Sequence, residues 1–213
     1  MMEFNPNCQD CPRLSSSLEI LRDSHKDYWN RPVPSFGNTN SQLYIIGLAP
    51  GLHGANATGR PFTGDHAGII LYETLYKYGF SNSSISISSS DKLKLVNAYI
   101  TNAVKCFPPQ NQPTTSEIKI CNKYLKHELN IKVSRKIIIS LGTISHRAVL
   151  AALDLRPKDY AFSHGAIHDL GSNMIMLNSY HCSRYNTQTK RLTQNMFEDI
   201  FQSAQLLISN IKE

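Results

Sequence analysis

Four short apolar segments, separated by stretches of helical periodicity, constrain the fold of this chain most strongly. Each segment is bounded by turn or polar residues, as buried parallel strands are. The predicted strands cover residues 43–46, 98–101, 136–140 and 174–177. The predicted helices cover residues 67–79, 114–129, 143–153 and 192–211. This alternation predicts an α/β fold, a three-layer α/β/α sandwich with a central, mostly parallel four-stranded sheet.

Length and composition favour one globular unit. The chain has 213 residues, of which 41% are hydrophobic and 18% charged, so we expect a single domain over residues 1–213 and a monomer. Residues 1–40 are predicted to form an extended arm that is tied to the body through a bound metal. No apolar run approaches the roughly 18 residues of a membrane helix. The N-terminus also lacks the basic start and apolar run of a signal peptide, so we expect a cytoplasmic protein without membrane contact.

The charge balance favours a polyanionic partner. The chain carries 22 Lys and Arg residues against 16 Asp and Glu residues, a formal net charge of +6. An excess of this size suits binding to nucleic acid, although many soluble domains are mildly basic.

The five cysteines are unevenly spaced, and a disulfide framework is not expected in the reducing cytosol. Cys8 and Cys11 form a Cys-x-x-Cys pair that can chelate a metal from a single turn. Cys106 and Cys121 lie on either side of a Pro-Pro loop and could supply two more thiolates. Four thiolates fit either zinc or a [4Fe–4S] cluster, and their spacing does not separate the two. Scattered core cysteines are the remaining alternative.

Unusual residues concentrate in three loops that follow predicted strands, where open α/β sheets bind their ligands. These loops cover residues 47–65, 101–109 and 179–187. The first contains five glycines, which let backbone amides approach a ligand closely. A fourth segment, residues 81–90, contains seven serines and is typical of a flexible surface loop without chemistry.

These segments resemble the type 5 uracil-DNA glycosylases, iron–sulfur members of the uracil-DNA glycosylase superfamily, over nearly the whole chain. The most specific match is Gly-Arg-Pro-Phe-Thr-Gly-Asp at residues 59–65. Leu48 favours type 5, because type 4 proteins carry an acidic residue there. The chain departs from the family pattern at two positions. Ala57 stands where Arg is usual, so one expected DNA or loop contact is missing. Cys182 replaces the proline of His-Pro-Ser, which is expected to loosen the loop around His181.

The resemblance implies roles for five residues. The enzyme must grip a base that has left the duplex stack before it breaks the bond to the sugar. Phe62 would stack on the pyrimidine, the backbone at Gly51 would approach it, and Asn102 would pair with O4 and N3–H of uracil. His181 would donate to O2 as negative charge develops on the departing base. Asp65 would orient water and stabilise the cationic sugar, although an Asp here also suits a helix cap.

The resemblance also implies contacts with DNA and with a metal cluster. Arg184 and Tyr185 would reach the DNA backbone or fill the gap left by the flipped base. Lys190 and Arg191 fit phosphate contacts. Cys182 would not bind the cluster. The residues that would hold one [4Fe–4S] cluster are Cys8, Cys11, Cys106 and Cys121.

The sequence therefore predicts a monofunctional glycosylase that removes uracil, or another deaminated base such as hypoxanthine, from DNA. No lysine is placed as an obvious Schiff-base nucleophile, so strand cleavage by the same protein is not expected. Two alternatives remain: a non-catalytic nucleic-acid-binding protein with a structural zinc, and an α/β hydrolase of free nucleosides. Activity on duplex DNA with a strong salt dependence would favour the glycosylase.

Overall fold

The computed structural model describes residues 4–209, which form one mixed six-stranded sheet. Its strands are β1 Phe36–Gly37, β2 Leu43–Gly47, β3 Ala98–Asn102, β4 Lys136–Leu141, β5 Ile167–Gly171 and β6 Met174–Ser179. They lie in the order β1-β3-β2-β4-β6-β5. The four central strands are the four predicted ones, and they pair in parallel.

The predicted four-stranded sheet is wrong in its strand count, because an antiparallel strand lies at each edge. β1 pairs with β3, and β5 pairs with β6. β1 has only two residues, too few to produce a sequence pattern. β5 is mostly exposed, with Leu170 as its one buried residue, so it lacks the apolar run that marks a buried strand.

Helices cover both faces of the sheet. The layer helices are α3 His66–Lys77, α4 Thr115–Leu129, α5 Thr143–Ala152 and α7 Gln194–Ser209. α3 and α7 share one core with Ile45 and Ile139, whereas α4 and α5 share the other with Tyr44 and Ile138. Alternate strand residues therefore point to opposite layers, as the pleat requires. The predicted end of the last helix, at residue 211, lies outside the described residues.

The N-terminal arm is not wholly extended, because it contains helix α1, Pro12–Ser24. Proline suits the first turn of a helix, where its missing N–H has no intrahelical partner. Leu14 and Leu18 are buried in a third apolar cluster with Val104, Phe107 and Tyr124. Apolar packing therefore holds this part of the arm on the body.

The remaining helical segments are short. They are α2 Ala55–Thr58, α6 Arg184–Gln188, and the 3₁₀ turns Pro109–Asn111 and Pro157–Asp159. Within residues 4–209, no helix is both long enough and apolar enough to span a bilayer.

Candidate active site

The carboxyl ends of the parallel strands open into a pocket of about 480 Å³. The three loops predicted to bind a ligand all reach it, as expected for an open α/β sheet. The predicted site residues that line it are Gly51, Phe62, Asp65, Asn102, His181 and Arg184. Polar lining residues that the sequence analysis missed are His53, His66, Asn111 and Ser183. The glycine-rich loop contains His53 and adjoins His66, whereas Asn111 lies beyond the end of the second predicted loop.

Phe62 forms a flat aromatic wall of the pocket. Its ring is buried and lies 6.1 Å from the His181 ring, with an angle of 28° between the two planes. Gly47 makes this arrangement possible, because a Cβ at this position would lie 2.7 Å from Phe62 Cζ and would also collide with Asn102 Oδ1. A glycine at the end of β2 thus lets an aromatic ring and an amide lie side by side.

Asn102, the last residue of β3, presents an unpaired acceptor to the pocket. The residue is 4% exposed, and its Oδ1 has no hydrogen-bond partner among residues 4–209. A buried acceptor without a partner costs about 1–3 kcal/mol. A ligand with an N–H group at this position would remove that cost, so the pocket is suited to a flat ring with amide character.

Asp65 caps helix α3 with one carboxylate oxygen. Its Oδ1 accepts a hydrogen bond from the Gly68 N–H at 2.9 Å. The other oxygen, Oδ2, lies against Gly51 and Gly54, where a Cβ at Gly54 would come within 2.5 Å of it. The predicted capping role is therefore confirmed, and the second oxygen remains available to act in the pocket.

His181 carries a neutral imidazole near neutral pH. Burial lowers its pKa below the ordinary 6.5, and the nearby Asp65 carboxylate offsets only part of this effect. A neutral ring has one N–H donor, which suits a hydrogen bond to an atom that gains negative charge. The Asn186 Nδ2 donates to the His181 carbonyl oxygen at 2.8 Å and fixes the backbone of this loop.

Cys182 packs in the core beside this loop. Its side chain is fully buried, and the thiol donates to the Ala67 carbonyl oxygen at 3.5 Å. Burial raises its pKa to about 12, with a further contribution from Asp65.

A contact between side chains joins the first and third loops. His66 Nε2, at the start of α3, lies 3.0 Å from Thr187 Oγ1 on α6.

Arg184 and Tyr185 begin helix α6 at the rim of the pocket. Arg184 lines the pocket, whereas Tyr185 is 70% exposed beside it. Lys190 is exposed, and the Arg191 guanidinium stacks over the Tyr180 ring at 4.7 Å. The exposed members of this set are placed to meet a large ligand that covers the mouth of the pocket.

A second, much narrower cavity is lined by the four cysteines predicted to bind metal. They are Cys8, Cys11, Cys106 and Cys121. The Lys105 N–H donates to Cys121 Sγ at 3.3 Å. Burial, together with the neighbouring thiols of Cys121 and Cys8, raises the pKa of Cys11 to about 11. Within residues 4–209, no three His, Cys, Asp or Glu side chains are arranged to hold a single metal ion.

Comparison with known proteins places the chain in one family. The model of the uracil DNA glycosylase superfamily matches residues 34–205. The Type-5 uracil-DNA glycosylase of Thermus thermophilus is 41% identical over 205 residues, covering 94% of this chain and 93% of that protein. That of Pyrobaculum aerophilum is 38% identical over 202 residues, covering 93% and 88%. The Type-4 uracil-DNA glycosylase of Archaeoglobus fulgidus is 28% identical over 184 residues, covering 84% of each chain. The chain therefore belongs to the uracil-DNA glycosylase superfamily and, within it, to the type-5 group.

Proposed function

We propose that this protein is a monofunctional DNA glycosylase that hydrolyses the N-glycosidic bond of uracil in DNA and leaves an abasic site. The observation that carries the proposal is the unpaired Oδ1 of Asn102 beside the Phe62 ring. Uracil offers an N3–H donor and an O4 acceptor on one edge, and an amide side chain matches both. Phe62 would stack on the face of the same ring.

Asp65 and His181 would act at opposite ends of the breaking bond. The Asp65 Oδ2, which is not used in the helix cap, would stabilise the cationic sugar and orient the attacking water. The neutral His181 ring would donate to O2 of the departing uracil as negative charge develops there. The residues that line the described pocket include no lysine, so water rather than an amine is the proposed nucleophile.

Arg184 and Tyr185 would contact the DNA around the extruded nucleotide. Arg184 lines the pocket and would pair with a phosphate next to that nucleotide, and the exposed Tyr185 ring would fill the space left in the duplex. Other deaminated bases with the same N–H and carbonyl edge would fit the same contacts, so the proposed substrate class extends to hypoxanthine.

The four cysteines that line the narrow cavity would hold a [4Fe–4S] cluster. They fit this group because thiols from the arm, the 105–108 segment and α4 converge on one apolar cluster. Glycosidic hydrolysis transfers no electrons, so the bound cluster would supply only a crosslink between these segments. Zinc is the alternative occupant, although no three His, Cys, Asp or Glu side chains within residues 4–209 are arranged to hold a single ion. Broad visible absorption of the purified protein distinguishes the cluster from colourless zinc.

Incubation with a duplex that carries one uracil, followed by alkali, tests the proposed activity. Alkali should cleave the strand at the uracil, whereas a matched duplex with thymine should remain intact. Free deoxyuridine tests the nucleoside-hydrolase alternative in parallel. Tight binding of the uracil duplex without any excision would instead identify a non-catalytic DNA-binding protein.

A further inference from the structure

The serine-rich loop, residues 81–91, is a closed and internally braced structure. An antiparallel bridge between Ser81 and Leu95 closes its base. The Asp91 carboxylate accepts hydrogen bonds from the backbone N–H groups of Ile87, Ser88 and Leu93. These contacts give the loop a defined shape, although its composition predicts a flexible segment.

The serine-rich loop is also fixed to the glycine-rich loop of the active site. The buried Arg60 guanidinium lies 2.5 Å from the Asp91 carboxylate and stacks over the Phe36 ring at 4.8 Å. Thr63 Oγ1 and Ser86 Oγ are 2.7 Å apart. Arg60 and Thr63 flank Phe62 in the sequence, so the segment that positions the aromatic wall also positions the serine-rich loop.

Two isoleucines project from this braced loop into solvent. Ile85 is 64% exposed and Ile87 is 72% exposed. Contiguous exposed apolar patches mark interaction sites, whereas single exposed apolar residues need no explanation, so the pair is informative only through its place beside a binding site.

Ile85 lies beside such a site, in a groove of about 570 Å³ that continues the active-site pocket. The groove and the pocket share Phe62, Asp65 and Arg184 as lining residues. On its far side the groove is lined by Ser84, Ile85 and Ser86. A ligand that leaves the pocket along this groove therefore passes the serine-rich loop.

The charge on and around the loop suits a polyanion. Asp91 is paired with Arg60, whereas Lys92 and Lys94 follow the loop and are exposed. The groove itself contains charges of both signs, namely the carboxylates of Asp65 and Glu73 and the guanidinium of Arg184, so the positive charge lies on the loop side. Serine hydroxyls are frequent donors to phosphate oxygens, and isoleucine is among the residues that proteins insert between base steps.

We infer that the serine-rich loop is a second DNA contact, which presents Ile85 and Ile87 as an apolar wedge to the duplex beside the extruded nucleotide. This inference rests on the proposed glycosylase function. Arg60 and Thr63 couple the wedge to Phe62, so the duplex is held at a fixed distance from the aromatic wall.

The test compares an Ile85→Ser/Ile87→Ser double variant with the matched control Ile20→Ser. Ile20 is 69% exposed on α1 and lines neither the pocket nor the groove. The probes are a duplex with one uracil and a uracil-containing single-stranded pentanucleotide, which has no base-pair step for a wedge to enter. The double variant should lose about tenfold more kcat/KM on the duplex than on the pentanucleotide, since partial burial of isoleucine side chains is worth about that factor. The control should match the wild-type protein on both substrates.

A second measurement detects the contact directly. Benzoylphenylalanine introduced at residue 85 should photo-crosslink to the uracil duplex, whereas the same group at residue 20 should not. If the wild-type protein excises uracil but the double variant behaves like Ile20→Ser and residue 85 gives no crosslink, the loop inference is wrong and the proposed function stands. If the wild-type protein excises uracil from neither substrate, the proposed function itself fails, and the inference fails with it.

Discussion

At Asp65, the two oxygens of one carboxylate serve different parts of the molecule. Oδ1 completes the first turn of α3 by accepting from the Gly68 N–H. Oδ2 lies beside Gly51 and Gly54 on the pocket side. A residue placed in this way contributes to the fold and to the chemistry at once, so substitutions must be chosen to separate the two roles.

Asp65→Asn and Asp65→Ala make this separation. Asn keeps an acceptor for the Gly68 N–H and caps helices about as well as Asp, so the melting temperature should change little. It removes the charge that would stabilise the cationic sugar, so the single-turnover excision rate should fall by about 10²–10³. Ala removes the cap as well and should cost about 1 kcal/mol of unfolding free energy in addition. Melting and single-turnover rates of both variants check this, and a fully active Asp65→Asn variant would exclude the catalytic role.

His181→Ala should lower the single-turnover rate by about 10²–10³, because it removes a donor that matters most once charge has developed on the leaving base. Affinity for the uracil duplex should change much less, since this donor acts on the transition state. Burial lowers the pKa of His181, so the wild-type rate should not follow an ionisation at the ordinary histidine pKa of 6.5. Pre-steady-state kinetics of the wild-type protein at pH values on either side of 6.5 test the pH dependence, and the same measurement on His181→Ala gives its loss of rate. An equal loss of affinity and rate would indicate that His181 only binds the base.

At the scale of elements, the cysteine cavity joins the N-terminal arm to the body, and Cys121→Ser tests this link. Cys121 is buried on α4 and lies in the same apolar cluster as Leu14 and Leu18 of α1. Loss of this thiolate should abolish visible iron–sulfur absorption and lower the melting temperature together, because a structural metal site contributes to folding. The control is Cys182→Ala, which should keep the absorption, since Cys182 lies in a different core. Retained absorption in Cys121→Ser would contradict the ligand assignment.

The sequence predicts those elements whose residues are buried on both sides. β2, β3, β4 and β6 are nearly continuous apolar runs because helices cover both faces of the sheet. β1 and β5 are edge strands with few buried side chains, so no apolar pattern marks them. Helix α1 escapes prediction because its two buried leucines are too few to outweigh its polar residues.

In the site, too, the sequence predicts features that have a local pattern and misses those that depend on tertiary contacts. Asn102 ends β3, Asp65 precedes α3, and His181 lies two residues after β6. These element boundaries are where sequence and family resemblance locate them. The bracing of the serine-rich loop could not be predicted, because the Arg60–Asp91 ion pair joins segments that are distant in sequence. Composition alone predicts a flexible loop, and only the tertiary contacts show that its conformation is fixed.

At the scale of the whole molecule, the net charge of +6 predicts salt-dependent binding to undamaged DNA. Each phosphate contact releases condensed counterions and should add about 0.9 to the slope of log affinity against log salt. Fluorescence anisotropy with a labelled undamaged duplex over a range of salt concentrations measures that slope. Arg184→Ala should reduce the slope by about 0.9, the contribution of one phosphate contact. An affinity that does not vary with salt would exclude an electrostatic contact with the DNA backbone.

The stability of the whole protein should fall as the pH drops below about 6.5, because one buried and two half-buried histidines resist protonation. Burial lowers the pKa values of His146, His164 and His181 in the folded state. The unfolded chain, with ordinary histidine pKa values, therefore binds more protons in this range, and acid shifts the equilibrium towards it. Carboxylates with lowered pKa values, such as Glu117, add to this loss only as the pH falls through about their ordinary 4.5.

Denaturant unfolding at about pH 7.5, 6.5 and 5.5 measures this dependence through the unfolding free energy. His146 is the most informative residue to replace, because its ring is buried outside the pocket. Its Nδ1 lies 2.9 Å from Asn178 Oδ1 and its Nε2 lies 3.0 Å from the Tyr160 carbonyl oxygen. A neutral ring can donate to only one of these two acceptors, and burial, the largest influence on this group, still lowers its pKa. His146→Gln should lower stability near neutral pH, since these two contacts are disturbed, yet it should also flatten the pH dependence by removing one titrating group. A variant that keeps the full wild-type slope would show that His146 takes no part in it. An unfolding free energy that rises towards lower pH would contradict the lowered pKa values of all three rings.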